Sequence, residues 1–578
     1  MKTSRYPDLI NLSLLVLGGL VLLPLCNGDM LFMAQERNLF LSGAQFLNDC
    51  LRNVGGGTEW LGRRLTQLFY YPWLGGSVLV SLWVLIYLLL RRAFPLSPQW
   101  RWLCAVPLVA LLVSVIDLGY WIYYIKLPGY WFRESLGLCC CTLLLWGSKK
   151  QSYLSAVLSL CLYPLIGWYS VLALLAIAIG EMLAKRWLPV CVAILLLLVG
   201  PPAIARVYTT LPVGHAWLAA FPLIESNQTF SWVRTLPFII MAASLMAVYL
   251  MGNCKKQCSR LLQVGAYVCL VAWLCLSNYG DHNYHAEMRA YRAIEEFRLD
   301  DVLKEVKDAP NGPTRQMVVS KNIALLYTDH LHDQLFQYPT FGVDPVVSDS
   351  LPVHMVQTAA PLFYLYHGMT NDATHWCIEN SVEYGLTVSD LRILSLAALV
   401  NGESKVAAKY LQMLNSTAFY GDFAKHYLLL AFHPEWFDRY PELQIMKELN
   451  DDLEEYINSD KGNCEKQIYE AFANQAHHSN ARGRELAMAY ALMLKDYELI
   501  WHHLPAYARH LGKNKMPRQY QEAVYLGTQM KGAPYSADEF NFDADIPQRF
   551  NFFFSQNNLR DDHSYWWFFQ YCNNVRFY

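Results

Sequence analysis

The chain has 578 residues, of which 54% are hydrophobic and 16% charged, a balance too apolar for a soluble protein of this length. Its net charge of −2 hides two different halves, since residues 1–277 carry 20 Lys and Arg against 9 Asp and Glu, whereas the remainder carries 26 against 39. This composition indicates a membrane protein, and the chain has no motif for nucleic-acid or nucleotide binding.

About nine apolar runs within residues 1–277 approach the roughly 20 residues that a helix needs to cross a bilayer. The predicted spans are 9–26, 74–91, 101–122, 131–147, 151–167, 169–184, 187–206, 235–252 and 261–277. The number of spans within 151–184 stays open, because Pro164 in "PLIGWYS" allows one bent hairpin in place of two spans. The sequence therefore predicts an all-α polytopic bundle of about nine spans.

The orientation follows from the basic residues of the short loops. Lys2 and Arg5 precede an apolar core as in a signal peptide, but no A-x-A cleavage site follows, so an uncleaved first span is expected. With the N-terminus inside, cytoplasmic loops hold 12 Lys and Arg, and the longer outer loops hold 8. We expect a bacterial inner-membrane protein with a cytoplasmic N-terminus and a periplasmic C-terminal domain; an even number of spans would reverse this placement.

The first outer loop, residues 27–73, is unusually long and carries its own pattern. The stretches "MLFMAQERNLFLSGAQFLNDCL" and "TEWLGRRLTQLFYY" predict two amphipathic helices, separated at Gly55 to Gly57 and ended by Pro72. The second helix is cationic through Arg63 and Arg64 and rich in Trp and Tyr, which predicts that it lies in the membrane interface. Its two arginines are suited to holding a lipid phosphate.

The order of elements over residues 10–90 resembles the GT-C class of polyprenyl-phosphate-sugar glycosyltransferases. The shared layout is an acidic residue just outside the first span, interfacial helices around a Gly-rich break, an aromatic–Pro step and a run of apolar helices. The resemblance implies that Asp29 or Glu36 is the catalytic carboxylate, which would deprotonate an acceptor hydroxyl, and that Arg63 and Arg64 face the lipid phosphate. No paired D-x-D is present, and the alternative is that Asp29 merely begins an interfacial helix, where an acidic residue is favourable.

Three more polar side chains are candidates for lining an outer cavity. Asp117 and Glu134 lie towards the outer ends of their predicted spans, where a carboxylate is a functional candidate by default, and Gln67 lies in the first outer loop. Asp117 and Glu134 either share a cavity with Asp29 or pair with one another at the interface.

The histidines form pairs along the acidic half but show no metal-binding motif. We expect His477 with His478 and His502 with His503 to be solvated or to cap helices. No metal site and no cofactor are therefore expected, and a divalent cation is left open without support from the residues.

Residues 278–578 show an all-helical pattern with signs of a repeat. Gly368 and Gly402 are 34 residues apart, and each is followed five residues later by alanine and eight residues later by an aromatic. These two units resemble tetratricopeptide repeats, with weaker units around "NIALLYTDHLHDQLFQYP" and "ELAMAYALMLKDYELIWHHL"; chance helical packing is the alternative. Stacked helix pairs usually bind peptides or proteins, which predicts a periplasmic protein or peptide partner.

Over almost its whole length the chain resembles an uncharacterised family of Bacteroidota membrane proteins known only as a domain of unknown function. The likeness rests on "GGGTEWLGRRLTQLFYYPWLGG", "NIALLYTDHLHDQLFQYP" and "LRILSLAALVNGESKVAAKYLQML". It implies a transmembrane domain, 1–277, and a helical-repeat domain, 278–578, but no reaction.

Two functions stay open at similar weight. The first is GT-C-like transfer of a sugar from a polyprenyl-phosphate-linked donor in cell-envelope glycan assembly. The second is a non-catalytic scaffold, anchored in the lipid bilayer, whose repeats recruit periplasmic partners. No nucleic-acid partner is expected for either.

Overall fold

The computed structural model describes residues 6–207, 211–225, 231–252, 259–309, 312–340, 355–453, 463–512, 515–555 and 563–572. Within these ranges every regular element is a helix, which confirms the predicted all-α class. The chain divides into two compact units. Unit 1 comprises Met1–Gly280, Glu383–Val388 and Ser416–Gly421, and unit 2 comprises Asp281–Val382, Ser389–Asn415 and Asp422–Tyr578.

The first 280 residues contribute twelve α-helices to the described part of unit 1. They are α1 (Tyr6–Leu20), α2 (Gly28–Glu36), α3 (Ala44–Leu51), α4 (Gly56–Thr66), α5 (Pro72–Ala93), α6 (Val106–Ile116), α7 (Tyr130–Ser148), α8 (Ser152–Ile166), α9 (Trp168–Leu183), α10 (Trp187–Ala205), α11 (Trp232–Met251) and α12 (Arg260–Ser277). A π-helical turn, Val21–Leu25, extends α1, and 3₁₀ turns occupy Gln67–Tyr70, Pro98–Cys104, Gly119–Tyr124 and Val213–Leu218.

Six helical segments of the described residues are long and apolar enough to cross a membrane. They are Tyr6–Leu25, Pro72–Ala93, Pro98–Ile116, Trp187–Ala205, Trp232–Met251 and Arg260–Ser277. Each coincides with a predicted span. The other three predicted spans correspond to α7, α8 and α9; α8 and α9 are shorter apolar helices, so the count of nine stays a prediction.

The core of unit 1 lies around α6. All eleven residues of α6 are buried, and the helix packs against α11 and α12. Residues 152–183 form two helices, α8 and α9, which are separated at Gly167 and pack against each other and against α10. An almost wholly apolar helix, with Ser114 as its one polar residue, is buried as continuous hydrophobicity predicts.

The first outer loop forms three short α-helices, α2 to α4, where the sequence pattern predicted two. The first predicted helix is interrupted after Glu36, and α3 begins only at Ala44. Contacts with α4 account for the break: the Asn38 side chain donates to Arg63 O at 3.0 Å, and Arg63 Nη1 donates to Leu39 O at 3.3 Å. The carbonyl oxygen of Leu39 thus accepts from a side chain of α4, and the Asn38 side chain adds a second link to that helix.

After Gly280 the described residues form the remaining α-helices. They are α13 (His282–Glu295), α14 (Leu299–Lys307), α15 (Arg315–Tyr327), α16 (Leu331–Gln334), α17 (Met355–Thr358), α18 (Ala360–Tyr366), α19 (Thr370–Tyr384), α20 (Val388–Val400), α21 (Ser404–Asn415), α22 (Gly421–Phe432), α23 (Pro441–Asp452), α24 (Cys464–Ala473), α25 (Ala481–Leu494), α26 (Tyr497–Leu511), α27 (Arg518–Thr528), α28 (Ile546–Ser555) and α29 (Tyr565–Tyr571).

Polar side chains begin several helices of unit 2. The side chains of Asp281, Thr314, Asn463, Asn480 and Asp496 each accept a hydrogen bond from the first turn of the following helix. Such N-caps satisfy backbone donors that have no partner within the helix, and each contributes about 1 kcal/mol. The helix starts of this unit are therefore encoded locally.

The two glycines that mark the predicted repeat occupy equivalent turns. Gly368 lies between α18 and α19 with φ of 74°, and Gly402 lies between α20 and α21 with φ of 76°. A left-handed backbone in a tight turn between helices favours glycine, because it has no Cβ. This is the local geometry of a helix–turn–helix pair; the assignment to tetratricopeptide repeats stays a prediction.

Candidate functional site in the first outer loop

Asp29 lies in the first turn of α2, directly after the π-helical end of the first span. Its carboxylate accepts the backbone N–H of Met30 at 2.8 Å, and the residue is partly exposed. A negative charge in this position is stabilised by the positive end of the helix dipole. The structure therefore places a carboxylate at the start of the outer loop, next to the first apolar segment.

Glu36, at the other end of α2, is fully buried. The hydroxyl of Tyr420 is hydrogen-bonded to Glu36 Oε1 and, at 2.8 Å, to Gln35 Oε1. Tyr420 belongs to unit 1 through the segment Ser416–Gly421. Glu36 thus takes part in an internal contact of unit 1 that pairs residues 384 positions apart.

Two further residues of the loop hold the same segment. Gln67 is buried, and its Oε1 accepts the backbone N–H of Ala418 at 3.0 Å. The ring of Tyr70 stacks on Phe419 with centroids 5.0 Å apart and an angle of 8° between the planes. Tyr70, which the sequence pattern assigned to the membrane interface, therefore packs against protein.

Arg63 and Arg64 have different environments. Arg63 Nη2 lies 2.9 Å from Glu59 Oε1, and the guanidinium lies over the ring of Phe46, 5.4 Å from its centroid. Arg64 is exposed and lies over the Trp60 ring at 5.8 Å.

Glu59 joins two cations, a role that the sequence analysis missed. Besides Arg63, it faces Arg133 Nη1 of α7 at 3.6 Å, and the side chains of Glu59 and Arg133 are only 7% and 5% exposed. Buried charges persist when they are paired, because an unpaired ion loses its hydration without compensation. The i, i+4 spacing of Glu59 and Arg63 could have predicted their ion pair. No pattern in the local sequence predicts the contact with Arg133.

α4 approaches the start of α7 at glycines. A Cβ atom on Gly62 would lie 2.8 Å from the carbonyl oxygen of Gly129 and 3.1 Å from Arg133 N. Gly129 itself has φ of 69°, in the left-handed region that favours glycine. The stretch "TEWLGRR" thus brings the backbone of α4 against α7, which positions Glu59 for Arg133.

We expect Gly62→Ala to destabilise this packing by about 1–3 kcal/mol, although alanine is the better helix former, because the added methyl must displace backbone atoms. Hydrogen exchange of the α4 amides in detergent-solubilised protein measures the change. Gly43→Ala is the control, since a Cβ there meets nothing within 4 Å. Equal exchange in both variants would contradict the close approach.

The remaining sequence candidates lie apart from this loop. The backbone oxygen of Asp117 accepts from Arg234 Nε at 3.2 Å. Glu134 is buried in α7, and its Oε2 accepts the hydroxyl of Tyr169 at 2.9 Å. Asp117 thus has a partner from α11, and Glu134 has a partner from α9.

A narrow cleft of about 50 Å³ opens beside the end of α2. Arg37, Asn38, Trp131 and Tyr384 contribute to its wall, and Tyr384 comes from the segment Glu383–Val388 of unit 1. The guanidinium of Arg37 lies over Tyr384 at 5.7 Å, and its Nη2 donates to Tyr123 O at 3.0 Å. None of the seven sequence-predicted site residues lines this cleft of the described structure.

Three buried polar atoms in the cleft-lining residues have no hydrogen-bond partner within the described part of the chain. They are Asn38 Oδ1, Tyr130 Oη and Trp131 Nε1. Buried polar groups are normally satisfied, so such atoms indicate a water or a polar ligand group. The volume admits a few waters or one small group, and the nearby Arg37 favours an anionic one.

Within the described ranges, no group of three or more His, Cys, Asp or Glu side chains is placed to hold a metal ion.

These features define an all-helical protein with six segments able to span a membrane and a folded stretch, residues 27–73, between the first two of them. Residues 6–572 match the model of the family of unknown function DUF6057, so the chain belongs to that family. No curated protein and no solved structure matches the chain.

Proposed function

We propose that the protein is a GT-C-like glycosyltransferase of the bacterial inner membrane, which transfers a sugar from a polyprenyl-phosphate-linked donor in cell-envelope glycan assembly. The observation that carries the proposal is the folded outer loop: α2 to α4 lie between two apolar helices and present Asp29 immediately after the first of them. On this proposal the loop and the C-terminal domain face the periplasm.

Asp29 is the better of the two candidate bases. It is partly exposed, whereas Glu36 is fully buried and engaged by Tyr420. A base must reach the acceptor hydroxyl within hydrogen-bond distance, which requires access. We therefore assign proton abstraction to Asp29 and a positioning role to Glu36.

The donor phosphate requires a cation near a cavity. Arg63 is engaged by Glu59, while Arg64 is exposed beside Trp60 and remains available to a lipid phosphate. Arg37 adds a cation beside the unsatisfied atoms of Asn38 and Trp131. Binding of one phosphate by Arg37, or of a lipid headgroup by Arg64, is supported by guanidinium chemistry.

The test replaces carboxylates of the loop one at a time in the native host. We expect Asp29→Asn to reduce the transferred glycan by about 10²-fold or more, on the order of the contribution of general-base catalysis, and to accumulate the lipid-linked donor. Glu36→Gln should lower the amount of folded protein more than the activity per molecule. Envelope glycans and lipid-linked sugars are profiled by mass spectrometry.

Asp49→Asn is the matched control, because this carboxylate of the same loop is 52% exposed and pairs with the exposed Arg52. It should leave glycans unchanged. Normal glycans in Asp29→Asn cells, at normal protein level, would refute the enzymatic proposal.

A second function is favoured by the contacts of Glu36, Gln67 and Tyr70. These side chains hold residues 416–421 within unit 1, so they serve architecture rather than chemistry. The alternative we propose is a non-catalytic scaffold whose tetratricopeptide-like domain recruits periplasmic protein partners. This alternative requires that Asp29→Asn leave the envelope glycans unchanged. It also requires that disrupting the helical repeat produce the same phenotype as complete deletion of the protein.

A further inference from the structure

Unit 2 contains a cavity of about 330 Å³ whose polar lining is cationic. It lies between the turn after α24, the first turn of α25 and the second half of α26. The titratable and basic residues that line it are His477, His478, Arg484, His503, Arg509 and His510. No Asp or Glu among the described residues is part of its lining. The sequence pattern predicted that His477 with His478 and His502 with His503 are solvated or cap helices, whereas His478 and His503 are buried.

Two contacts hold the His478 ring in the wall. Its Nδ1 lies 2.6 Å from Asp452 Oδ2, and its Nε2 lies 2.8 Å from the carbonyl oxygen of Phe472. Both ring nitrogens are therefore engaged by protein atoms. Asp452 lies on the side of α23 and also accepts the backbone N–H groups of Ser479 and Asn480.

Two arginines supply charge that no physiological pH removes. Arg484 Nη1 donates to the carbonyl oxygens of His478 at 2.9 Å and Ser479 at 3.1 Å, which anchors the side chain at the turn. Arg509 is exposed, and its Nε donates to Pro505 O at 3.3 Å. The turn therefore holds one guanidinium in place, and α26 provides the other.

His503 adds charge to the cavity only as the pH falls. Its Nε2 donates to Ala473 O at 2.6 Å, and burial, together with the charges of His502 and His478, lowers the pKa of His503. The ring is thus neutral at neutral pH and gains its proton only in acid. His477 and His510 are exposed at the rim of the cavity.

We propose that this cavity is a binding site for a tetrahedral oxyanion, a phosphate or sulfate group, which binds more tightly in mildly acidic medium. Two guanidinium groups and four imidazole rings line one pocket, and the charge-assisted hydrogen bonds that guanidinium groups donate to oxyanions are strong. The volume accommodates such a group together with several waters. The site is independent of the activity proposed for the outer loop.

The test is calorimetric titration of the detergent-solubilised full chain with inorganic phosphate, sulfate and glycerol 2-phosphate at pH 5 and pH 8, at constant ionic strength set with chloride. Sulfate carries the pH test, because it stays a dianion over this range whereas phosphate groups gain a proton. We expect sulfate to bind about tenfold tighter at pH 5, with proton uptake visible as a buffer-dependent enthalpy. Tight binding of the phosphomonoester assigns the site to a group on a larger molecule, and binding of the inorganic ions alone assigns it to the free ion.

The double variant Arg509→Gln/His510→Gln removes two exposed rim groups and should weaken binding by about tenfold without changing the melting temperature in chloride. Lys531→Gln, an exposed cation elsewhere in unit 2, is the control and should bind as the parent does. Absence of binding at both pH values, or equal affinity in the double variant and the control, would overturn the proposal.

Discussion

Replacing Glu59 by glutamine should destabilise the first outer loop by about 3–5 kcal/mol, the cost of breaking a buried ion pair. The substitution keeps the shape of the side chain but leaves Arg133, 5% exposed, and Arg63, 16% exposed, without their carboxylate. The measurement is hydrogen exchange of the α4 and α7 amides in detergent, together with the fraction of protein that stays folded on heating.

Asp49→Asn, in α3 of the same loop, is the control for Glu59→Gln. Its pair with Arg52 is exposed, and such pairs contribute at most about 1 kcal/mol. If Glu59→Gln proves as mild as this control, the three-membered charge cluster does not stabilise the loop.

Replacing Asp452 by asparagine should destabilise the region around α24 to α26 by about 3–5 kcal/mol. The carboxylate is buried and accepts from His478 Nδ1, from Ser479 Oγ at 2.7 Å and from backbone N–H groups of the turn. The amide turns one acceptor into a donor and leaves His478 Nδ1 without its carboxylate partner. Hydrogen exchange of residues 474–494 measures the loss.

Asp452→Asn should also change the acid sensitivity of the region around α24 to α26. Burial by itself would raise the pKa of Asp452, but hydrogen bonds from His478 and Ser479 outweigh it and hold the pKa below the ordinary 3.8. The stability that the carboxylate contributes is therefore complete above about pH 5 and is lost as the pH falls through the lowered pKa. In Asp452→Asn this decline below about pH 4 should be absent.

Asp451→Asn provides the comparison one residue away, because Asp451 is 57% exposed and pairs with Lys447 on the helix surface. Its effect should stay within about 0.5 kcal/mol. A large effect there, or a small one at Asp452, would contradict the buried pair as the source of stability.

The apolar runs and the 3.6-residue periodicity were sufficient to predict the helical class and the positions of the six long apolar helices. Local signals of this kind act within one helix, so Pro72, Gly368 and Gly402 could be assigned to helix ends and turns from the sequence alone. The break between α2 and α3 could not be predicted from the sequence, because the hydrogen bond from Arg63 to Leu39 O joins residues 24 positions apart.

The candidate site depends on contacts between residues that lie even further apart in the sequence. Tyr384 and Tyr420 contact the first outer loop from far along the chain, and no local sequence pattern around them predicts this contact. The cavity of unit 2 could not be predicted for the same reason, since His477 and His510 share no motif and come together only when α24, α25 and α26 pack. Periodicity identifies an element but does not identify its neighbours.

The pairing of Glu36 with Tyr420 has a consequence for biogenesis. Because 384 positions separate the two residues, the outer loop leaves the ribosome long before its partner segment exists. At typical synthesis rates the delay is roughly 20–80 s. During that time Gln35, Glu36 and Tyr70 lack the aromatic segment that later covers them. Completion of unit 1 is therefore a late step, which must follow translation of nearly three quarters of the chain.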